Sequence, residues 1–272
     1  MYHTENRPLC GSLCQSEGKN MNSAYTGFAG VYDEFMDDID YEAWGSYITR
    51  KLCEYGIRDG LVLDLGCGTG NMTQILSEAG YDMIGVDGSA EMLSQAAAKK
   101  AADSSILYLC QQMQEFELYG TVRAVVSVCD CLNYILDEEE LLQVFRLVNN
   151  YLDPGGIFIF DMNTPYKYAE LMGDAVIAEN REDSSFIWEN DYDPETGINE
   201  YALTLFLRRD DSLYEKEEEL HTQRAWSEQT VRRLLEEAGM KVLAVTDAYT
   251  DKPVRADSQR LTYMVMEQGK HI

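Results

Sequence analysis

Three glycines at alternate positions, Gly66, Gly68 and Gly70, follow the apolar run Val62-Leu63-Asp64-Leu65. Such a run is a strand entering a tight turn, where glycine lets the backbone approach a ligand without a Cβ and the next helix offers free N–H groups. A dinucleotide turn has the spacing G-x-G-x-x-G and rests a pyrophosphate on the helix N-terminus. Here the spacing is G-x-G-x-G, and Asp64 stands two residues before the first glycine. A carboxylate at that point repels a pyrophosphate and suits a positively charged group such as an ammonium. Asp87, followed by Gly88, stands where an acid would accept hydrogen bonds from both hydroxyls of a ribose. Cys67, between two of the glycines, needs no role beyond being small.

The elements that must hold these residues alternate along the chain. Strand 61–65 leads into a helix that places Met72, Ile75, Leu76 and Ala79 on one face and stops at Gly80. Strand 81–87 precedes an alanine-rich helix from Ala90, and strands 106–109 and 122–130 follow. A helix from Glu138 runs into the turn Asp153-Pro154-Gly155-Gly156, and strand 157–161 closes the series. Repeated strand–helix units mean a parallel sheet covered on both faces, with ligands outside the carboxyl ends of its strands. Asp87, Asp130 and Asp161 all stand at such ends.

Segments 175–182, 184–193, 198–209 and 214–226 then read as strands without an intervening helix, an antiparallel meander with one face toward water. Helix 227–239 and strands 241–249 and 260–267 return to the main sheet. The fold class is α/β: a Rossmann-like, doubly wound, mostly parallel seven-stranded sheet with N-terminal helices and a small antiparallel β insertion after the fifth strand. Residues 1–20 form a flexible tail, 21–165 and 227–272 the main domain, and 166–226 an inserted sheet capping the acceptor site.

Forty-eight acidic residues face 22 basic ones, a formal charge of −26. That field repels nucleic acid and anionic membranes, and no basic run offsets it. It keeps a protein in solution, or else draws in a cationic or amine-bearing substrate. The seven cysteines, Cys10, Cys14, Cys53, Cys67, Cys110, Cys129 and Cys131, show no paired spacing, so neither a disulfide framework nor a zinc site is expected. Reduced thiols, no signal peptide and no membrane span place the chain in the cytoplasm.

The stretch DLGCGTGN, the acid of GVDGS and the turn LDPGG resemble the class I S-adenosylmethionine-dependent methyltransferases, from about residue 25 to the end. YTGFAGVYDEFMDDIDYEAWGSYI, FDMNTPYKY and HTQRAWS resemble a bacterial small-molecule branch with an inserted β-sheet. The resemblance implies S-adenosylmethionine as cofactor and S-adenosylhomocysteine as product. Asp64 would organise the loop near the methionine amino group, the glycine loop would line that end, and Asp87 would hold the ribose. Met92 would pack on the adenine, Gln112 would replace the family's usual acid at the adenine amino group, and the backbone of Met113 would meet the adenine edge. Asp130 and Asn133 would border the methyl-transfer chamber, and Tyr32 would close over the methionine moiety. Met92, Met113 and Tyr32 also fit plain core positions, and Asp130 fits a turn.

Methyl transfer from a sulfonium is an in-line displacement that asks for positioning, exclusion of water and sometimes removal of a proton. The expected acceptor is a nitrogen or oxygen nucleophile of a small molecule, bound by a monomer or homodimer under Tyr25, Phe28, Tyr32 and the inserted sheet. His221 is the one histidine inside a folded element, His3 and His271 lying near the ends, and serves as candidate base. Asn163 and Tyr166 are further candidate acceptor contacts. Two rival readings are a non-catalytic module that binds the cofactor and a nicotinamide-dependent dehydrogenase, the latter at odds with the glycine spacing.

Overall fold

The computed structural model describes Ala29 and residues 32–36, 39–102, 104–209 and 213–270. The N-terminal tail, Tyr25, Phe28, Cys10, Cys14, His3, His271 and residues 210–212 lie outside the described residues.

The main sheet comprises β1 (Leu61–Leu65), β2 (Asp82–Asp87), β3 (Leu107–Cys110), β4 (Val122–Ser127), β5 (Leu152–Asn163), β10 (Met240–Asp247) and β11 (Arg260–Glu267). Their order is β10-β11-β5-β4-β1-β2-β3, parallel from β3 to β5, with β11 antiparallel to both of its neighbours. The order reverses between β1 and β4, so the crevice lies at their carboxyl ends.

Helices α3 (Asn71–Glu78), α4 (Ala90–Lys99), α5 (Glu138–Tyr151) and α6 (Glu228–Glu237) follow their strands, preceded by α2 (Tyr41–Glu54). Side chains capture free N–H groups that open three of the helices that follow strands. Ser89 accepts from Met92 N at α4, Asp137 from Glu139 and Glu140 N at α5, and Ser227 from Thr230 N at α6. One core gathers Leu63, Leu65, Phe145, Phe158, Phe160 and Tyr263 under α5 and α6, the other Ile48, Leu52, Val62, Leu76 and Ile159 under α2 and α3. Adjacent residues of β1 thus serve opposite faces, as strand alternation requires. No helix among the described residues is long and apolar enough to cross a membrane.

Several expected boundaries move. Residues 153–156 are not a turn ahead of a new strand but a bulge within β5. Leu152 pairs with Val122 and Ile157 with Ala124, while Gly155 sits at φ 71 and donates its N–H to Glu267. β4 ends at Ser127 rather than at 130, because Cys129 and Asp130 turn into the left-handed region. A π-helical turn, Lys167–Met172, precedes the second sheet. The first N-terminal helix is a single described turn, α1 (Tyr32–Phe35).

The second sheet has the order β6 (Val176–Asn180), β7 (Ser184–Asp193), β8 (Ile198–Arg208), β9 (Tyr214–Arg224), all antiparallel. Its outer face exposes Ile187 and Leu220, at 37% and 49%. Its inner face buries Tyr201, Leu203 and Leu205 together with Glu219, His221 and Gln223. Phe35 of α1 meets this face edge-on at Phe186, 4.9 Å between ring centres.

Phe160 lies between Phe158 and Tyr263, with ring centres 4.6 and 4.7 Å away. Phe160→Ala should therefore cost about 3–5 kcal/mol in urea unfolding, whereas a loss below about 1 kcal/mol would mean that the stack does not anchor the sheet.

Candidate active site

Loop 66–70 is set by the main chain of β2: Gly66 N and Cys67 N both donate to Val86 O, at 2.7 and 3.0 Å. At Gly66, φ is +80, and a Cβ would come within 2.4 Å of Met113 Cε and 2.8 Å of Cys131 Sγ. That glycine is demanded by packing as well as by φ. Gly68, at φ +52, faces open space instead, leaving room for a ligand against bare backbone. Gly70 forms the N-cap of α3.

Asp87 ends β2 with both carboxylate oxygens engaged, Oδ2 accepting from Gly68 N and Oδ1 from Ser89 N, each at 2.8 Å. These two bonds fix its orientation and leave lone pairs for a sugar's hydroxyls. Burial pushes its pKa up, against the lowering effect of those bonds. Asp64 is fully buried behind the loop, where Oδ2 accepts from Thr73 Oγ1 at 2.5 Å and Oδ1 has no hydrogen-bond partner. Burial raises its pKa to about 7, opposed by the Thr73 bond and supported by the charge of Asp87. A buried carboxylate with an unused oxygen suits an ammonium group near the loop.

One cavity collects Tyr32, Gly66, Cys67, Gly68, Asp87, Gly88, Met92, Gln112 and Met113. It also takes in residues that the sequence reading passed over, among them Tyr41, Thr69, Asn71, Ser89, Cys129, Cys131, Tyr134 and Ile135. Thr69, Asn71 and Ser89 adjoin the glycine loop and the ribose-type acid, a signal that was present in the sequence. Tyr41 and Tyr134 arrive by tertiary packing. The lining therefore combines a hydrogen-bonding floor with the apolar surfaces of Met92 and Met113.

Asp64, Gly70, Asp130, Asn133, Asn163, Tyr166 and His221 stand outside this lining. Asp130 and Asn133 support it from behind. Asp130 Oδ1 pairs with Arg260 Nη2 at 2.6 Å, and its Oδ2 accepts from Gln223 Nε2 at 2.7 Å. Asn133 ties β5 to β9 by donating to Arg224 O and accepting from Asn163 N. Asn163 and Tyr166 border a second cavity with Trp226 and Arg255. His221 is only 1% exposed.

The wall formed by Cys129 and Cys131 is held from below. Asp161 accepts from Cys129 N at 2.9 Å, Asp130 N at 2.7 Å, Arg260 Nη1 at 2.5 Å and the Tyr249 hydroxyl. On the opposite rim α1 bridges the two sheets. Asp33 accepts from Thr69 Oγ1, Asn71 Nδ2 and Lys99 Nζ, while Glu34 accepts from Ser184 Oγ on β7. Burial raises the Asp33 pKa, but the three donors outweigh it and hold the carboxyl below its ordinary range.

Two outcomes follow for stability. Asp64 has a higher pKa folded than unfolded, so its contribution is fully present below about pH 4 and is lost as pH rises through about 7. Thermal melts of Asp64→Asn should gain on the parent from about pH 4 to about 7 and level off above; a constant difference would show that Asp64 ionises without penalty. Arg260→Gln leaves Asp161 and Asp130 without their cation and should cost about 3–5 kcal/mol in urea unfolding.

Residues 62–156 match the family model described as a methyltransferase domain. A protein of Geobacillus sp. (strain WCH70), named as a methyltransferase, is 36% identical over 88% of this chain and 98% of its own length. The glycine/sarcosine N-methyltransferase of Halorhodospira halochloris is 27% identical over 50% of this chain and 51% of its own. Among solved structures, an S-adenosylmethionine-dependent methyltransferase from Clostridium acetobutylicum ATCC 824 superposes with a TM-score of 0.82 at 31% identity, covering 90% of this chain and 99% of that one. The glycine loop with its two acids, the strand order and these likenesses converge: the chain belongs to the class I S-adenosylmethionine-dependent methyltransferases.

Proposed function

We propose that this enzyme methylates a nitrogen or oxygen nucleophile of a small molecule held between the main sheet and the inserted one. The observation that carries the reading is the extent of the cavity, from Asp87 and Met92 past the glycine loop to Tyr41, Cys129, Tyr134 and Ile135. Tyr134 is in turn 2.5 Å from Tyr201 of the inserted sheet, hydroxyl to hydroxyl. The relative from Halorhodospira, by its name an N-methyltransferase, supports nitrogen.

When bound, S-adenosylmethionine supplies an electrophilic methyl group on a positively charged sulfur. Asp87 holds the ribose hydroxyls, Met92, Gln112 and Met113 take the adenine end, and the free oxygen of Asp64 favours the ammonium end electrostatically. Tyr32 and Tyr41 exclude water, and the acceptor is oriented from the Tyr134 side. No side chain need form a covalent bond, because orientation and desolvation supply most of the rate.

Incubation with S-adenosylmethionine and a panel of glycine, amino sugars, phenols, carboxylates and thiols, read by mass spectrometry of S-adenosylhomocysteine, tests this. Turnover is expected with amines or hydroxyl compounds. Turnover confined to thiols would overturn the acceptor class, and cofactor binding without any turnover would favour a binding module. Asp87→Ala should weaken S-adenosylhomocysteine about 10- to 100-fold by calorimetry, the worth of one or two bonds to a charged carboxylate. Unchanged affinity would remove Asp87 from the site.

A further inference from the structure

Behind the cavity wall, three groups stand in line. Tyr134 borders the cavity, and its hydroxyl is 3.1 Å from His221 Nδ1. His221 Nε2 is 3.2 Å from Glu219 Oε2. Both β9 residues are buried on the inner face of the inserted sheet. Tyr201 stacks on His221 with ring centres 4.7 Å apart, and Trp188 stacks on Tyr201 at 4.0 Å, which fixes the imidazole plane.

We propose that Tyr134 takes a proton from the methyl acceptor and passes its own to His221, with Glu219 orienting the imidazole; this rests on the methyl-transfer reading above. An ionised carboxylate only accepts hydrogen bonds, so Glu219 selects the tautomer with the proton on Nε2. Nδ1 then accepts from the Tyr134 hydroxyl. A tie between the two sheets would need no buried acid, and a tyrosine packed on leucine would avoid the desolvation that Glu219 and His221 undergo. The polar line instead ends at the cavity.

The step balances without a further reagent. As the acceptor's bond to the methyl carbon forms and the carbon–sulfur bond breaks, the acceptor's N–H or O–H bond breaks and a new O–H forms on Tyr134. The original Tyr134 O–H breaks in the same movement, and an N–H forms on His221 Nδ1. The imidazolium rests against Glu219 until product leaves; Nδ1 then returns its proton to the Tyr134 oxygen as the Tyr134 O–H bond on the cavity side breaks and its proton passes to water entering the cavity. His221 is thus removed from the acceptor by one residue: Tyr134 is the catalytic group, His221 and Glu219 are positioning residues. The same logic defines the substrate class. The acceptor must arrive neutral and carry a proton, as a primary or secondary amine or a hydroxyl does and a tertiary amine does not.

The chain has three histidines, so ¹⁵N-histidine labelling of the full-length protein, with His221→Gln for assignment, reads the tautomer directly. The expected spectrum shows His221 protonated on Nε2 and bare on Nδ1, with the Nδ1 resonance moved by Tyr134→Phe. In kinetics with the best proton-bearing acceptor of the panel, Tyr134→Phe should lower kcat about 100-fold or more, leaving KM within about threefold. S-adenosylhomocysteine affinity should stay within about threefold of the parent's, while the melting temperature falls by a few degrees because His221 and Tyr201 each lose a buried partner. Glu219→Gln should lower kcat less, and a tertiary amine should lose nothing in Tyr134→Phe. An Nδ1-protonated His221, or an unchanged kcat in Tyr134→Phe with a secondary amine or hydroxyl acceptor, overturns the proposal. Intact S-adenosylhomocysteine binding with no turnover of any acceptor counts against the methyl-transfer reading itself, while an Nδ1-protonated His221 overturns the relay without an acceptor.

Discussion

The buried carboxylate of Asp161 holds two consecutive residues in a conformation that side chains disfavour. Cys129 and Asp130 sit at φ 61 and 52, and both N–H groups point at this one acid. Left-handed backbone costs about 1–3 kcal/mol at each such residue. Charge-assisted bonds to the two amides offset that cost, and Arg260 makes the acid tolerable in the interior. The same guanidinium reaches Asp130, so one cation binds the ends of β4, β5 and β11 into a unit. The cavity wall at Cys129, Cys131 and Tyr134 grows out of that unit.

From this corner the inserted sheet is attached by polar contacts and the N-terminal segment by both polar and aromatic ones. Gln223 reaches Asp130, Arg224 donates to Leu136 O, and Asn133 donates across the seam to Arg224 O while accepting from Asn163 N of β5. At the far side α1 uses Asp33 on the glycine loop and Phe35 on the second sheet. The glycine-loop end of the cavity and the end toward the inserted sheet are therefore braced by different chemistry. Directional hydrogen bonds fix the first, and a mixed aromatic and polar face closes the second. Asp64 stands buried behind the glycine loop, where desolvation raises the pKa of its carboxyl to about 7.

Much of the layout was legible in the chain because it depends on neighbours in sequence. The alternation of strands and helices, the seven-stranded sheet and the antiparallel insertion are all present. Of the residues expected at the cofactor, those placed by a loop directly after a strand, from Gly66 to Gly68 and from Asp87 to Met92, line the cavity together. The expectation that residues 153–156 separate two elements failed because the pairing of β4 with β5 continues across a bulge. Pairing of that kind is decided by the partner strand and not by local turn preference.

What the sequence by itself determined is the order of elements and the identity of the glycine loop that lines the cavity, since apolar period, glycine spacing and strand-terminal acids act over a few residues. Only the tertiary structure decided what the remaining polar residues do. Asp130 pairs with Arg260, 130 positions on. His221 faces Tyr134, 87 positions back, and not open space. Asn133 and Asn163 bond to each other. Ions and hydrogen-bonding groups buried in an apolar interior must find partners wherever the fold brings them, and that partner is set by the packing of strands far apart in the chain.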